Sequence, residues 1–252
     1  MTESALRVAL LYPELLGTYG DRGNGRVLVQ RLRWRGREAE LVEVNRGDVP
    51  PSTCDIYLLG GGEDSPQAMA AVELAVGGPL ERAVADGAAV LAVCAGFQIL
   101  GHSFCGPDGV PLPGLGLIDC TTARGEGPRV VGEILVEPTI GTEVPLLSGY
   151  ENHAGLTHLG AGARPLGWVR AGVGNGDGTE GAVSGRVIGT YLHGPVLARN
   201  PALADLMLSW FVDDLEALDD DDVAKLRQER YQAVDAAAGR WGGGRTRLRA
   251  SG

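Results

Sequence analysis

The segment from Val90 to Gly101, VLAVCAGFQILG, constrains the fold of this chain more than any other. Ala89–Val93 is a run of small and branched apolar residues, typical of a strand buried in a parallel sheet. Cys94 follows directly, and the apolar residues after it have helical spacing. Such a cysteine lies on a sharp turn, with its sulfur facing the amides of the next helix. We expect a nucleophile whose thiol pKa is lowered by the helix N-terminus, although a buried core cysteine gives the same pattern.

Strand and helix patterns alternate around this segment, which predicts an α/β fold. We expect a three-layer sandwich with a mostly parallel central sheet and helices on both faces. From Pro107 to Gly189 the chain is rich in glycine and proline, and its short β runs predict antiparallel strands that wrap one sheet edge. The predicted strands are Arg7–Tyr12, Glu40–Val44, Asp55–Leu59, Ala89–Val93, Val130–Val136, Gly167–Arg170, Gly181–Val183 and Arg186–Leu192. The predicted helices are Asn24–Trp34, Pro66–Val76, Leu80–Ala85, a helix at Phe97, Pro201–Phe211 and Val223–Ala238.

The domain organisation follows from a change in composition near residue 212. Residues 1–212 are predicted to form one domain, and residues 213–252 a C-terminal helical extension and tail. The extension begins with an acidic run of Asp213, Asp214, Glu216 and Asp219–Asp222. Either a solvated helix with a loose tail or an appendage that docks a partner fits this pattern.

Charge and cysteine content exclude several functional classes. A net charge of −10 argues against a nucleic-acid partner. No apolar run approaches the roughly 20 residues of a membrane span, and no basic leader precedes the first apolar stretch. The four cysteines at 54, 94, 105 and 120 have neither C-x-x-C nor zinc spacing, so we expect reduced thiols in the cytoplasm and no metal site.

Three features follow predicted strands, where ligands bind in open α/β sheets: the Gly60–Gly62 turn, Cys94 and His193. A cysteine hydrolase needs a thiolate, a base that also protonates the leaving group, and donors for the oxyanion. His193 is the candidate base, and a histidine with a purely structural role is the alternative. The backbone amides of Gly62 and Ala95 are the candidate oxyanion donors.

These residues resemble a known family. The C-x-G-x-Q run that starts at Cys94 is similar to the nucleophile motif of class I glutamine amidotransferases, which have a flavodoxin-like fold. Most of that class carries H-x-E, whereas this chain has His193-Gly194-Pro195 and lacks the acid at that place. This departure, and the GYENH run at residues 149–153, resemble the cobyric-acid-synthase-like branch of the family.

Within that branch, the runs at residues 19–24 (YGDRGN), 60–64 (GGGED) and 149–155 (GYENHAG) resemble free-standing glutaminase subunits. The resemblance implies hydrolysis of L-glutamine and transfer of the ammonia to a Mur-ligase-like synthetase in a heterodimer. That partner would amidate the α-carboxyl of D-glutamate in lipid II to D-isoglutamine. This chain has no P-loop, so we expect no cofactor on it, and ATP and Mg on the partner.

The resemblance also implies roles for individual residues. Arg129 resembles the arginine that holds the substrate α-carboxylate, with Arg124 as a rival. Gln98 resembles a glutamine that contacts the substrate, and an ordinary polar helix residue is the alternative. The acid that orients His193 is implied to be an aspartate of the partner. Within the chain, Glu151 and the pair Asp213 and Asp214 are alternatives.

The run from Tyr19 to Asn24 has a simpler interpretation. Asp-x-Gly-Asn before a helix is good capping chemistry, so Asp21 or Asn24 is expected to be the N-cap of the first helix. The alternative is a loop near the active site or the partner surface.

Two further functions remain open at this point. One is an amidotransferase component for another acceptor, such as a corrinoid. In a corrinoid synthetase, a fused ATP domain would be expected to precede the amidotransferase domain. The other is a noncatalytic α/β protein whose reactive cysteine senses oxidants.

Overall fold

The computed structural model describes residues 5–75 and 78–242, with side chains up to residue 234. The strands are β1 Leu6–Leu11, β2 Ala39–Val44, β3 Ile56–Leu59, β4 Ala89–Val93, β5 Ser103–Cys105, β6 Pro111–Pro113, β7 Cys120–Arg124, β8 Val130–Pro138, β9 Leu147–His153, β10 Gly155–Leu159, β11 Gly167–Ala171, β12 Thr179–Glu180, β13 Ala182–Ser184 and β14 Val187–Thr190. The helices are α1 Gly23–Trp34, α2 Asp64–Ala75, α3 Pro79–Ala85, α4 Ala95–Leu100, α5 Val196–Arg199, α6 Pro201–Leu208 and α7 Asp221–Gly242.

The central sheet has the strand order β13-β14-β4-β3-β1-β2. Its strands are parallel except for β13, which pairs antiparallel with β14 at the edge. Leu10, Leu58, Leu91 and Ile188 lie opposite one another on adjacent strands, and each is at most 2% exposed. The predicted α/β fold with a mostly parallel sheet is therefore confirmed, and its core is a continuous row of branched aliphatic side chains.

The helices divide into two groups. Helices α1, α5 and α6 contact one another, and α1 packs on β1 and β2. Helices α2, α3 and α4 form the second group, in which α4 packs on β4 and β14. The sheet is thus the middle of three layers, as predicted.

The region between β4 and β14 forms two smaller sheets, ordered β10-β7-β5-β6 and β12-β11-β8-β9. Their strand pairs are antiparallel, as predicted, except for β5 with β7, which is parallel. Strand β9 carries the GYENH run, and Tyr150 forms an antiparallel bridge with His193. The second small sheet is therefore hydrogen-bonded to the chain that leaves the central sheet after β14.

Buried Arg31 connects the C-terminal segment to α1. Its guanidinium is 3% exposed and forms ion pairs with Asp205 at 2.6 Å and Asp220 at 2.8 Å. Further along, the Arg227 guanidinium in α7 donates to the Leu146 carbonyl at 2.8 Å. The predicted boundary at residue 212 stays a prediction. Within the described ranges, no helix combines the length and the apolar character needed to cross a membrane.

Candidate active site

Cys94 lies on a strained turn between β4 and α4. Its backbone has φ 52° and ψ −106°, a conformation rare for residues other than glycine. The turn is held by the Cys94 N–H, which donates to the Thr190 carbonyl at 2.8 Å, and by the Gln98 N–H, which donates to the Cys94 carbonyl at 3.0 Å. The predicted sharp strand-to-helix turn is present, and this strain is typical of nucleophile elbows.

Gly96 explains why the turn can be so tight. A Cβ at this position would lie 2.6 Å from the Leu59 Cβ and 3.0 Å from the Leu59 carbonyl oxygen. Only glycine lets α4 approach β3 this closely. The short helix is thereby fixed with its first amides next to the sulfur.

A cleft opens in front of Cys94. Its empty volume is about 520 Å³, including the part open to solvent. Cys94 is only 5% exposed but belongs to the lining of this cleft. The predicted site residues in the lining are Gly62, Cys94, Ala95, Gln98, Arg124 and Arg129, and they are joined by Asp64, Gln67, Cys105, Thr122, His153, Ala154 and Gly155.

His193 reaches the same edge of the sheet from the neighbouring strand. Val93 of β4 is paired with Thr190 of β14. Cys94 comes one residue after Val93, and His193 comes three residues after Thr190. The His193 ring is 2% exposed and is not among the residues that line the cleft. Its Nε2 has no hydrogen-bond partner among the described residues, which leaves that nitrogen available to accept a proton.

The other ring nitrogen of His193 faces an acid that the sequence analysis assigned to helix capping. His193 Nδ1 lies 3.1 Å from Asp21 Oδ2, and both side chains are at most 2% exposed. The same oxygen accepts the Gly61 N–H at 2.9 Å. The capping prediction is wrong, because α1 has no side-chain cap and Asn24 Oδ1 instead accepts the Leu197 N–H at 3.0 Å.

The in-chain acids considered from the sequence lie elsewhere. Glu151 is buried and accepts the backbone N–H groups of Val173 and Gly174 at 2.9 Å. It also faces His153 Nε2 at 3.4 Å. Asp213 and Asp214 are exposed residues of the C-terminal segment. None of the three makes a described hydrogen bond with His193.

Arg129 lies at the rim of the cleft. Its Nε donates to Asn152 Oδ1 at 2.5 Å, and its Nη2 donates to the Asn152 carbonyl at 3.0 Å and to the Tyr19 hydroxyl at 3.1 Å. The Cys94 sulfur is 4.0 Å from that Asn152 carbonyl. The guanidinium is thus close enough to the nucleophile for a bound amino acid to reach both groups. Arg124 also lines the cleft, so it stays a rival for the carboxylate.

Gln98 lines the cleft, but its amide is already engaged. Its Nε2 donates to the Tyr191 hydroxyl at 3.1 Å, and its Oε1 accepts from Gln67 Nε2 at 2.9 Å. Tyr191 is buried and also shares a hydrogen bond with Thr157. A structural role in this network is therefore visible, whereas the predicted substrate contact stays a prediction.

The environment of Cys94 does not lower its pKa, contrary to the sequence-based expectation. Burial and the negative charge of Asp21 raise the pKa of the thiol to about 12, and Arg129 and the Ala95 amide only partly oppose this. A helix N-terminus contributes about 0.3–1 kcal/mol, whereas burial shifts pKa values by up to about 3–5 units. The resting group is therefore a neutral thiol, and its reaction requires a base.

This raised pKa predicts the pH dependence of thiol alkylation. Because the thiolate fraction grows with pH up to the pKa, the alkylation of Cys94 by iodoacetamide is expected to rise about tenfold per pH unit from about pH 7 to 10. Mass spectrometry of the Cys94 peptide gives the rate, and alkylation of Cys105 in the same sample reports reagent access. A plateau of the Cys94 rate below pH 8 would contradict this assignment.

Comparison with known proteins places this geometry in context. Residues 7–201 match the CobB/CobQ-like glutamine amidotransferase domain. The chain is 40% identical to the lipid II isoglutaminyl synthase (glutamine-hydrolyzing) subunit GatD of Staphylococcus aureus (strain N315), over 77% of this chain and 79% of the relative. The corresponding subunit of Streptococcus pneumoniae (strain ATCC BAA-255 / R6) is 34% identical over 79% of this chain and 77% of its own length.

More distant relatives and solved structures agree in fold. The cobyric acid synthase of Pelotomaculum thermopropionicum is 36% identical over 82% of this chain but only 40% of its own length. A crystal structure of a glutamine amidotransferase has a TM-score of 0.54 at 22% identity, covering 81% of this chain and 97% of that one. The Trypanosoma brucei CTPS glutaminase domain has a TM-score of 0.52 at 10% identity, covering 85% of this chain and 98% of that one.

Proposed function

Since this chain belongs to the CobB/CobQ-like glutamine amidotransferase family, we propose that it is the glutamine-hydrolysing subunit of a lipid II isoglutaminyl synthase. The observation that carries the proposal is the extent of the likeness to the Staphylococcus aureus subunit, which spans 79% of that relative's length. The chain spans less than half of the cobyric acid synthase that it also resembles.

The proposed reaction starts at Cys94. As its sulfur attacks the side-chain amide carbon of glutamine, His193 Nε2 takes the thiol proton and passes it to the departing ammonia. The carbon–nitrogen bond breaks and a thioester forms. Water then attacks this thioester with His193 as base, so that glutamate is released and the thiol is restored.

Backbone and charge contacts complete the proposed mechanism. The amides of Gly62 and Ala95, two residues of the cleft lining, stabilise the oxyanion formed at each attack; one such donor contributes about 3–4 kcal/mol. Arg129 binds the substrate α-carboxylate, for which its bidentate geometry is suited. Binding there exchanges the present contact with Asn152 for one with the substrate.

The acceptor half of the reaction is assigned to a partner. We propose a Mur-ligase-like synthetase subunit that forms a heterodimer with this chain, binds ATP and Mg, and activates the α-carboxyl of D-glutamate in lipid II. Ammonia is mostly protonated at neutral pH, so its release beside the activated carboxyl raises its effective concentration. We assign the complex to the cytoplasm, where ATP is available and thiols such as Cys94 stay reduced.

The raised pKa of Cys94 argues against an oxidant sensor. Oxidation by peroxides proceeds through the thiolate, and sensor cysteines are accessible and have low pKa values. Cys94 is buried, and its pKa is raised to about 12. A nucleophile that is activated only when a base and a substrate are in place fits these properties better.

Reconstitution tests the proposed function. The chain, the Mur-ligase-like partner, ATP, Mg and lipid II are expected to yield D-isoglutamine with glutamine as nitrogen source, as measured by mass spectrometry of the stem peptide. Omission of this chain is expected to abolish the product with glutamine but not with concentrated ammonium chloride. Equal product from glutamine with and without this chain would refute the proposal, and amidation of a corrinoid acid instead of lipid II would favour the alternative acceptor.

A further inference from the structure

We propose that the first turn of α2 forms the site for the α-ammonium group of the substrate, with the Asp64 carboxylate and the Gln67 amide oxygen as its acceptors. This site rests on the proposed glutaminase function and lets the cleft distinguish a free amino acid from other carboxamides. Asp64 and Gln67 are three positions apart in α2, and both line the cleft. Residues with this spacing lie on the same face of a helix, so both side chains can reach one bound group.

Charge singles out Asp64 among the described residues that line the cleft. It is the one carboxylate in that lining, which also contains the cations Arg124 and Arg129. Asp64 is exposed, and its side chain makes no hydrogen bond or ion pair with the described residues, so it is available to a ligand. The α-ammonium group of glutamine would otherwise lie beside two guanidinium groups that repel it. A carboxylate on the α2 wall offsets this repulsion with an attraction.

The hydrogen bonds of Gln67 leave its amide oxygen as a free acceptor. Gln67 is 3% exposed, and its Nε2 donates to the Ala95 carbonyl at 3.3 Å and to Gln98 Oε1 at 2.9 Å. Because a carbonyl oxygen can only accept, the contact with Ala95 fixes which end of the amide is the nitrogen. The other end, Oε1, has no hydrogen-bond partner among the described residues, and an ammonium group can donate to it.

A chain of hydrogen bonds places this turn close to Arg129. The Tyr19 hydroxyl donates to Glu63 Oε1 at 3.1 Å and accepts from Arg129 Nη2 at 3.1 Å. Glu63 directly precedes Asp64, so two hydrogen bonds separate the guanidinium from the start of α2. In glutamine, the α-carboxylate and α-ammonium groups are attached to the same carbon. This arrangement supports a pose in which Arg129 and Asp64 hold those two groups while the side-chain amide lies at Cys94.

The N-terminus of α2 makes the charge of Asp64 necessary. The first turn of a helix carries the equivalent of about half a positive charge, which by itself disfavours a cation. Asp64 is the acid that α2 carries in its first turn, and its full negative charge exceeds this opposing partial charge. A neutral residue at position 64 would therefore leave a wall that repels the ammonium group.

Substitution of Asp64 with asparagine tests the site with two substrates. L-Glutamine is compared with 4-carbamoylbutanoate, which has hydrogen in place of the α-ammonium group and keeps the carboxylate and the carboxamide. In the full-length chain with the synthetase partner, Asp64→Asn is expected to lower kcat/KM for glutamine about 10- to 100-fold, mainly through KM. The value for 4-carbamoylbutanoate is expected to change less than about threefold. Because Asp64 is exposed, the variant is expected to fold normally.

Three further variants separate the ammonium contact from general effects. Asp64→Glu keeps the charge and is expected to retain most of the preference for glutamine over 4-carbamoylbutanoate. Glu63→Gln removes a neighbouring charge that contacts Tyr19 and does not line the cleft, so it is expected to leave this preference unchanged. Gln67→Leu removes the donor to Gln98 and is expected to lower the rates for both substrates, but to lower the rate for glutamine further.

The outcomes for the ammonium site and for the proposed function are distinct. An equal fall for both substrates in Asp64→Asn, or an unchanged value for glutamine, would overturn the site. If the wild type with its partner releases no glutamate, the proposed function is refuted, and calorimetry of L-glutamine binding decides the site alone. Binding to Asp64→Asn that is about tenfold or more weaker than to the wild type would support the site, and equal binding would overturn it.

Discussion

Replacement of Cys94 with alanine is expected to abolish glutamine hydrolysis, with a loss in kcat on the order of 10⁵–10⁶, because the nucleophile of a triad has no substitute. The substitution removes one sulfur from a residue that is 5% exposed, so the fold and the cleft are expected to persist. Glutamate release measures the rate, and calorimetry measures glutamine binding, which we expect to change little. Amidation by the partner with ammonium chloride is also expected to persist.

Two control variants sharpen this prediction. Cys94→Ser keeps the shape of the side chain but replaces the thiol with a far less acidic hydroxyl, so it is also expected to be inactive. Cys105→Ser alters the other cysteine of the cleft lining and is expected to retain activity. Full activity in Cys94→Ala, or a loss of activity in Cys105→Ser alone, would show that Cys94 is not the nucleophile.

Replacement of His193 with alanine is expected to lower kcat about 10²- to 10⁴-fold, the range for loss of a general acid–base group. The need for a base is strong here because the pKa of the Cys94 thiol is raised to about 12, so spontaneous thiolate formation is small at neutral pH. The missing ring leaves a space beside Tyr19 and Gly61. Added imidazole is therefore expected to restore part of the rate, and hydroxide to restore activity as pH rises.

His102→Ala is the matched control for His193→Ala. Its side chain is 55% exposed and contacts only the exposed carboxylate of Asp119 among its described hydrogen-bond partners, so its removal is expected to leave kcat unchanged. An equal loss of rate in both variants would indicate a general effect on stability. Wild-type activity in His193→Ala would exclude this residue as the base.

Local sequence was sufficient to predict the turn at Cys94. An apolar strand, a cysteine and a helix-forming run are consecutive in the chain, so their arrangement needs no knowledge of distant contacts. His193 required one further rule, that carboxyl ends of parallel strands meet at one edge of a sheet. Both residues could therefore be proposed from the sequence alone.

The contact of Asp21 with His193 could not be found by the same reasoning, because a helix cap and an active-site loop residue have the same local sequence pattern. An aspartate before Gly-Asn and a helix fits an N-cap as well as a loop residue at the active site. It lies 172 positions from His193 in the chain. One signal was available: the loop that contains Asp21 follows β1, which is the neighbour of β3, so it emerges at the edge where His193 and the Gly60–Gly62 turn lie.

For the Cys94 thiol, the helix N-terminus was predicted correctly, but the predicted lowering of the pKa was wrong. The helix N-terminus next to Cys94 is present, and the Ala95 amide does lower the pKa. Burial is larger, however, and residues far along the chain, Thr122 of β7 and Gly155 of β10, share the cleft lining with Cys94. Those contacts depend on tertiary structure that sequence periodicity does not encode.

The single oxygen shared by Gly61 and His193 has a mechanical consequence. Asp21 Oδ2 binds both groups, so the turn after β3 and the imidazole are expected to move together rather than independently. Entry of an amino acid that pushes this turn outward would carry the ring with it and alter the nitrogen-to-sulfur separation.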